Sequence, residues 1–272
     1  MRQQIEGFLA ALLEGAWSAR TRRAYGVAMV IAGVLFPFGL VSIAGGGLPP
    51  RFAWTASVVI ALNALVTVLS EMRAQKVGVV LGRFVLLAFL LFCLELVGVR
   101  TGLPFGGYQY TGVLAPSLLG IPAVIPLAWY TTVITSWRLA HALLGGGEVP
   151  RTRLAVNAGL LTVALDLVLE PMAAWVTGYW QWSESSVPLQ NMFSWFVFAA
   201  LAVAWLVSRE GRTSTCTRGH GYHALVVLGM QWILFALTDC VHGFPGAVFL
   251  SAILLLTLWT GRNVPVGAPS TR

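Results

Sequence analysis

Long apolar stretches, separated by short segments that hold most of the charged residues, run through nearly the whole chain. Eight of these stretches are roughly 17–23 residues long, the length that a helix needs to cross a hydrocarbon core of about 30 Å. They are residues 25–44, 53–71, 77–99, 122–144, 154–174, 191–208, 222–240 and the short stretch 244–260. The pattern predicts an all-α, polytopic integral membrane bundle of about eight transmembrane helices.

The composition agrees with a membrane protein. Of the 272 residues, 57% are hydrophobic and 10% are charged, whereas soluble domains contain about 25% charged residues. The net charge of +7 does not indicate a nucleic-acid partner, because the basic residues fall between the predicted spans. The three cysteines, Cys93, Cys216 and Cys240, are too far apart in sequence to suggest a disulfide framework or a zinc site.

Basic residues are distributed unevenly between the two predicted sides of the membrane. If the N-terminus is cytoplasmic, the inner segments hold thirteen basic residues and the outer segments hold only Arg51 and Arg100. Cytoplasmic loops normally carry the excess of Lys and Arg. We therefore expect both termini in the cytoplasm and a multi-pass protein of the cell (inner) membrane. Arg83 and Arg138 fall inside spans near their inner ends, where long side chains can extend to the interface.

The same pattern divides the chain into three parts. Residues 1–24 are predicted to be a cytoplasmic amphipathic segment, a helix ending in the basic run 20–23. Residues 25–262 form a single transmembrane domain, which would also hold any catalytic site. The Pro/Gly/Ser-rich residues 263–272 are expected to be a disordered tail.

Carboxylates inside membrane spans are the first candidate functional residues. Four lie within predicted spans or at their outer ends: Glu95, Asp166, Glu170 and Asp239. An ionised carboxylate at mid-membrane costs on the order of 3 kcal/mol, so such residues usually have a function. The predicted topology places all four in the outer half of the bilayer. Thr162, Asp166 and Glu170 follow at intervals of four and share one helix face, and Pro171 is expected to loosen the helix beside them.

Asp166 and Glu170 lie one helical turn apart in a medium of low dielectric. They are not expected to be ionised together, so one proton should be shared between them. A neutral carboxylic acid beside a carboxylate suits general acid–base chemistry. We predict these two as catalytic residues, with Glu95 and Asp239 in support. The alternative is a structural pair that holds helices together through hydrogen bonds or contacts Arg100.

Aromatic residues gather in the long outer loops 100–121 and 175–190 and in the fourth span. Seven are predicted to bind substrate: Tyr108, Tyr110, Trp129, Trp175, Tyr179, Trp180 and Trp182. Their π faces could stabilise a carbocation, although Trp and Tyr are also enriched at membrane interfaces without any catalytic role. Gln190 and Asn191 are supporting polar candidates that could cap the sixth span or orient a water.

Several chemistries lack the residues that they need. The chain has only four histidines, far fewer than a membrane di-iron oxygenase uses. No GxGxxG sequence follows a strand, so a nucleotide cofactor is not indicated. We therefore expect no metal, no cofactor and no nucleic-acid partner.

Three segments resemble characteristic segments of the membrane-bound acyclic-carotenoid 1,2-hydratases, the CruF-type enzymes. They are TGLPFGGYQYTGVLAPSLLGIPAVIPLAWY, DLVLEPMAAWVTGYWQW and VPLQNMFSWF. The resemblance covers residues 95–200, and relatives of the family include the bisanhydrobacterioruberin and γ-carotene 1′-hydratases. In the family an Asp more often precedes the proline, where this chain has Glu170. The additional methylene keeps the acidity but changes the reach of the carboxyl group.

The resemblance implies cofactor-independent addition of water across the terminal 1,2 (or 1′,2′) double bond of an acyclic carotenoid. Lycopene, γ-carotene or a C50 relative would become a tertiary 1-hydroxy product. One of Asp166 and Glu170 would protonate C2, and the other would stabilise the cation or activate water. Such a substrate is dissolved in the bilayer, so membrane lipids and other carotenoid-pathway enzymes are the expected neighbours.

Two other functions remain open at this point. DLVLE is similar to the DxxxD motif that holds Mg²⁺ and diphosphate in prenyltransferases, but such a site also needs a second acidic motif and basic residues. A proton-coupled transporter would use the same carboxylates as a relay. It would be expected to contain inverted repeats, and the sequence shows no internal repeat.

Overall fold

The computed structural model describes residues 2–45, 52–210 and 216–261. Within these ranges the α-helices are α1 Arg2–Leu12, α2 Ala19–Ala44, α3 Trp54–Glu71, α4 Val77–Thr101, α5 Ile125–Leu143, α6 Arg151–Pro171, α7 Leu189–Glu210, α8 Arg218–Val241 and α9 Pro245–Gly261. The short strands are β1 Tyr108–Tyr110, β2 Ser117–Leu118, β3 Ile121–Pro122 and β4 Trp180–Trp182, and a π-helical turn covers Met172–Val176. Each predicted span thus coincides with a helix. The predicted tail 263–272 lies outside the described residues.

Six of the described helices are long and apolar enough to cross a membrane, namely α2, α3, α4, α6 with its π turn, α7 and α8. The helix α9 has only 17 residues, and α5 contains a dense run of Thr, Ser and Arg. The helical architecture is therefore that of a multi-pass membrane protein, as predicted. Eight crossings and cytoplasmic termini stay predictions.

Helices α5 and α6 form the centre of the bundle. Helix α6 packs against α5, α7, α8 and α9, while α5 also contacts α3, α4 and α8. In contrast, α2 and α4 expose most of their apolar surface, including Val34 and Phe89. Side chains on the packed faces of α6 therefore point into protein. Asp166 and Glu170 accordingly lie in the interior, at 0% and 3% exposure.

The end of α6 loosens after Pro171, where the sequence predicted a weak point. Proline lacks the N–H that would donate to the preceding turn. In the π turn that follows, the Thr177 N–H donates to the Met172 carbonyl five residues back, at 2.9 Å. Gly178, at φ +63°, then turns the chain in a conformation that favours glycine. As a result β4 folds back beside the end of α6.

β1 and β4 pair in an antiparallel ribbon that we call the aromatic hairpin (residues 108–110 and 180–182). Tyr108 faces Trp182, and Tyr110 faces Trp180. Because side chains alternate along a strand, all four aromatic rings lie on one face of the ribbon. The intervening Gln109–Gln181 pair is exposed on the other face. The aromatic hairpin therefore presents a continuous aromatic face to the ends of α4 and α6.

The N-terminal segment differs from the prediction. α1 ends at Leu12, and α2 begins at Ala19 with Ser18 as its N-cap, whose Oγ accepts the Thr21 N–H at 3.1 Å. The basic run 20–23 therefore lies in the first turns of α2 and does not end the N-terminal helix. Ser residues stabilise helix starts in this way, which explains why α2 begins several residues before the apolar run.

Arg138 does not extend to the interface as the sequence suggested. It is 1% exposed, and its Nε donates to Glu71 Oε1 at 2.9 Å while its Nη2 donates to Glu71 Oε2 at 2.5 Å. Glu210 accepts a further bond from Arg138 at 3.1 Å and one from Arg83 at 2.9 Å. This buried ion cluster ties α3, α4, α5 and α7 together at the end of the bundle opposite the aromatic hairpin.

Breaking the ion cluster is expected to destabilise the bundle strongly. Arg138→Leu would leave Glu71 and Glu210 buried with their main cation removed, a change that typically costs about 3–5 kcal/mol. We expect a large fall in the temperature at which purified protein loses its monodisperse size-exclusion peak. Arg209→Leu, at an exposed position on α7, is the control. Equal midpoints for the two variants would contradict a stabilising role for the cluster.

Candidate active site

Glu95 of α4 and Glu170 of α6 line one cavity of about 90 Å³ beneath the aromatic hairpin. They are 4% and 3% exposed, respectively. The other lining residues are mostly aromatic or aliphatic: Ile60, Phe105, Tyr108, Tyr110, Leu114, Ile125, Ala128, Trp129, Leu169, Tyr179, Trp180, Trp182, Asn191 and Trp195. We call this space the acid cavity. Nine of the thirteen residues predicted for the site, Glu170 among them, lie on its wall. Helices and loops that are far apart in sequence therefore meet here.

Glu95 is held by three neutral donors. The Tyr108 and Tyr110 hydroxyls donate to its Oε2 at 2.6 and 2.7 Å, and the Trp129 indole N–H donates to its Oε1 at 2.8 Å. Burial, with the negative charge of Glu95 as a further cause, raises the pKa of Tyr108 and of Tyr110 above the usual value for tyrosine. Both phenols therefore remain protonated, and they serve as donors to the carboxylate.

Glu170 is also held by three neutral donors. The indole N–H groups of Trp180 and Trp182 donate to its Oε2 at 3.0 and 2.9 Å. Its Oε1 accepts from Asn191 Nδ2 at 3.0 Å. The aromatic hairpin thus supplies two donors to each acid, with the tyrosines of β1 bound to Glu95 and the tryptophans of β4 bound to Glu170. Donors of this kind stabilise a carboxylate where no cation is paired with it.

Asp166 lies behind Glu170 and is not part of the cavity wall. Asn191 Nδ2 donates to Asp166 Oδ2 at 3.1 Å, so one amide nitrogen bridges the two acids. Asp166 Oδ1 is buried without a hydrogen-bond partner among the described residues. Asp166 therefore accepts one side-chain hydrogen bond, whereas Glu170 accepts three. One turn further, Thr162 is also fully buried, so the predicted polar stripe faces inward.

Electrostatics favour a proton within this group of acids. Arg83, Arg138 and His220 form ion pairs with Glu71 and Glu210, at the other end of the bundle. Glu95, Asp166 and Glu170 instead accept hydrogen bonds from neutral tyrosine, tryptophan and asparagine side chains. Like charges in a low-dielectric interior repel strongly. The acids can thus provide a neutral carboxylic acid and a carboxylate to the same small cavity.

Three predicted site residues lie elsewhere. Gln190 is exposed and donates to the Gly102 carbonyl at 3.2 Å, which ties the start of α7 to the end of α4. Trp175 is 44% exposed and stacks on Phe244. Asp239 is fully buried on α8, and it does not line the acid cavity. Gln190 and Trp175 therefore connect or pack the surrounding elements.

Two aromatic residues of the cavity were missed by sequence reasoning. Trp195 stacks on Trp129 with ring centroids 3.8 Å apart and an interplanar angle of 17°. It follows Asn191 by four positions on α7, so helical spacing could have indicated it. Phe105 is 2% exposed and contacts Trp129 from the loop after α4. No periodic signal marks a residue in such a loop.

Residues 54–258 match the family model described as "Carotenoid biosynthesis protein". This chain belongs to that family. The match extends from α3 into α9 and so includes every residue of the acid cavity. Together with the hydratase relative described next, it confirms the resemblance to the CruF-type hydratases that the sequence motifs indicated.

Two curated relatives were found over shorter stretches. The chain is 34% identical over 114 residues to the bisanhydrobacterioruberin hydratase of Haloarcula japonica, which is 40% of this chain and 39% of that protein. It is 33% identical over 103 residues to ATP synthase subunit a 2 of Acaryochloris marina, which is 35% of this chain and 44% of that subunit. The chain thus spans less than half the length of either relative. No solved structure matches it.

Proposed function

We propose that this protein hydrates the terminal 1,2 double bond of an acyclic carotenoid without a cofactor. The observation that carries the proposal is the pair of buried carboxyl groups, Glu95 and Glu170, on the wall of one aromatic cavity of about 90 Å³. Membership of the carotenoid biosynthesis family and the similarity to a bisanhydrobacterioruberin hydratase support this substrate class.

The reaction needs an acid, a site that tolerates a cation, and a base. A proton adds to C2 of the trisubstituted alkene, and the π electrons that form the new C–H bond leave a tertiary cation at C1. Water then forms the C1–O bond, and the resulting oxonium loses one proton. The sum is one water added and no net proton consumed, so the proton that the base takes from the oxonium must return to the acid before the next turnover.

Glu170 is the residue that we assign as the proton donor, because it lines the cavity and Asp166 does not. Asp166 would act as a positioning residue, because the Asn191 amide donates to both carboxyl groups and so fixes Glu170 beside Asp166. The sequence alone made Asp166 and Glu170 equal candidates. The cavity geometry supports unequal roles.

Glu95 is the group that we assign to cation stabilisation and water activation. Its three donors suit an ionised carboxylate, and a fixed negative charge beside C1 stabilises the charge that develops in the transition state. The stacked rings of Trp129 and Trp195 add π surface on the cavity wall. In this mechanism Glu95 acts directly on the reacting atoms instead of only supporting the acid pair.

The bilayer would deliver the substrate. The enzyme is proposed to lie in the cell membrane with both termini in the cytoplasm, where membrane lipids and other carotenoid-pathway enzymes surround it. The rival assignment as a Mg²⁺-dependent prenyltransferase would need basic groups for the diphosphate, whereas the side chains that contact Glu170 are the neutral Trp180, Trp182 and Asn191.

Expression in a bacterium that accumulates lycopene tests the function. Carotenoids extracted from cells that produce the wild-type protein should include a species heavier by one water, and cells with an empty vector should lack it. Strains that accumulate γ-carotene or a C50 acyclic carotenoid extend the test to the other substrates. Unchanged carotenoids in all three strains, with folded protein in the membrane, would overturn the proposal.

Loss of one donor to Glu95 should have a moderate effect. Tyr110→Phe removes a hydrogen bond to a charged group, which is worth about 1.5–3 kcal/mol, or a factor of roughly 10–100 in rate. We expect kcat to fall within that range and the thermal midpoint to fall by a few degrees, because the same hydrogen bond also stabilises the fold. Tyr222→Phe, on the half-exposed face of α8, is the matched control. A Tyr110→Phe variant with wild-type kcat would show that this donor does not support catalysis.

A further inference from the structure

An apolar groove of about 270 Å³ lies between α2, α3 and α8, next to the acid cavity. Its lining includes Leu35, Phe38 and Gly39 of α2, Trp54 and Val58 of α3, and Leu234 of α8. Three polar side chains, Thr55, Asn63 and Gln231, interrupt this apolar surface. We call this space the α2–α3 groove. Its walls offer mostly aliphatic and aromatic surface, which suits a hydrocarbon ligand.

The α2–α3 groove and the acid cavity share two wall residues. Ile60 of α3 and Tyr179 of the loop before β4 line both spaces. The two spaces therefore adjoin at a wall that consists of these side chains. Met172, in the π turn that directly follows α6, also lines the groove. The same loosened turn thus contributes to the groove and directs β4 towards the acid cavity.

The acid cavity is too small for a long substrate. Its volume of about 90 Å³ is well below the roughly 300–1,000 Å³ of pockets that enclose a drug-sized ligand. It can hold a branched terminal group and a water, whereas the rest of a carotenoid must lie outside. Helix α2 borders the groove and exposes large apolar residues, among them Phe38 at 57%, so the groove is accessible from the hydrocarbon region.

We propose that the α2–α3 groove binds the polyene chain of the substrate whose terminal double bond occupies the acid cavity. This inference rests on the proposed function. The polyene enters between α2 and α3 from the bilayer and passes Ile60 and Tyr179. Its end group then lies between Glu95 and Glu170. Along α2 the lining runs from Ala32 to Ile43, which is about 16 Å at 1.5 Å per residue. The groove therefore binds several conjugated units of one acyclic chain.

Gly39 provides a way to fill the groove. A Cβ at Gly39 would meet no atom within 4 Å, and the same is true of Gly33, which lies on the same helix but not on the groove wall. Gly39→Leu should place a side chain in the groove without backbone strain, and Gly33→Leu should place one in open space. Val58→Trp fills the groove from the α3 side and serves as a second variant.

The experiment compares two acyclic olefins that carry the same terminal group, one a C40 polyene and the other a C10 compound too short to reach the groove. The measured quantity is kcat/KM for the C40 polyene divided by kcat/KM for the C10 compound. This ratio should fall by about tenfold in Gly39→Leu and in Val58→Trp, because overfilling an apolar site is unfavourable. The ratio in Gly33→Leu should equal that of the wild type. An unchanged ratio in both groove variants would overturn the inference.

A binding measurement separates failure of the groove from failure of the proposed reaction. Glu170→Gln and Glu170→Gln/Gly39→Leu are purified from lycopene-accumulating cells, and the carotenoid retained per protein is measured by absorbance. We expect about tenfold less retained polyene in the double variant. If both variants retain the same amount of polyene and the double variant loses bound phospholipid instead, the groove is a lipid site and the inference is contradicted. Reduced retention without any wild-type hydration would support the groove and refute the reaction.

Discussion

Glu170→Gln should lower the rate of carotenoid hydration by about 10²–10⁴-fold, the usual contribution of a general acid. The amide is nearly isosteric with the carboxylic acid, but it cannot give a proton to C2. The Gln side chain can still accept hydrogen bonds from Trp180 and Trp182 through its carbonyl oxygen, so the fold should be kept. The rate is measured with purified protein in lipid vesicles as hydroxylated product formed per minute.

Three further variants test whether the loss of rate in Glu170→Gln comes from the missing acid. Glu184→Gln changes an exposed carboxyl group outside the cavity and should be fully active. Glu170→Asp keeps an acid with a shorter reach, and it should be more active than Glu170→Gln. Asp166→Asn should lower the rate less than Glu170→Gln, because Asp166 does not line the cavity. Wild-type rates in both Asp166→Asn and Glu170→Gln would refute the acid mechanism.

Glu95→Gln should lower the rate of hydration by about 10²–10³-fold, as expected when one preorganised electrostatic group is removed from a transition state. The change removes the negative charge beside the tertiary cation and the group that accepts a proton from water. It also places an amide NH₂ against neighbours that are themselves donors, namely Tyr108, Tyr110 and Trp129. We therefore expect a loss of kcat with a small loss of stability.

The stability of Glu95→Gln must be measured beside its activity. The thermal midpoint from size-exclusion chromatography after heating shows whether the hydrogen-bonded cluster still forms. Glu95→Asp restores the charge and should recover part of the rate. If Glu95→Asp is as inactive as Glu95→Gln while both keep the wild-type midpoint, the charge of residue 95 is not the catalytic feature.

The acid face of α6 could be predicted because it depends on helix periodicity alone. Asp166 and Glu170 follow at an interval of four, and apolar length fixes α6 as a buried span. The loosening at Pro171 could also be expected, since it depends on the missing N–H of proline. Each of these inferences uses residues that are close together in the sequence.

The partners of the acids could not be predicted in the same way. YQY and WQW each alternate aromatic and polar residues, which is the pattern of a strand with one covered face. Their pairing, however, joins segments about 70 positions apart, and no local pattern fixes such a register. The assignment of tyrosines to Glu95 and of tryptophans to Glu170 therefore required the three-dimensional structure.

Arg138 was misjudged for a related reason. A basic residue near the end of an apolar span can extend to the interface or pair inside the bundle, and its own sequence context is the same in both cases. The choice depends on Glu71 and Glu210, which come from α3 and α7. The buried ion cluster therefore could not be predicted from the sequence of any one helix.

Hydration in D₂O tests the central claim most directly. Vesicles that contain the wild-type protein and lycopene are incubated in D₂O under air, and the hydroxylated carotenoid is analysed by mass spectrometry and NMR. Protonation by Glu170 predicts one non-exchangeable deuterium at C2, and in H₂¹⁸O the same reaction predicts ¹⁸O in the hydroxyl group at C1. A hydroxylated product without deuterium at C2, or with its oxygen derived from O₂, would contradict the account.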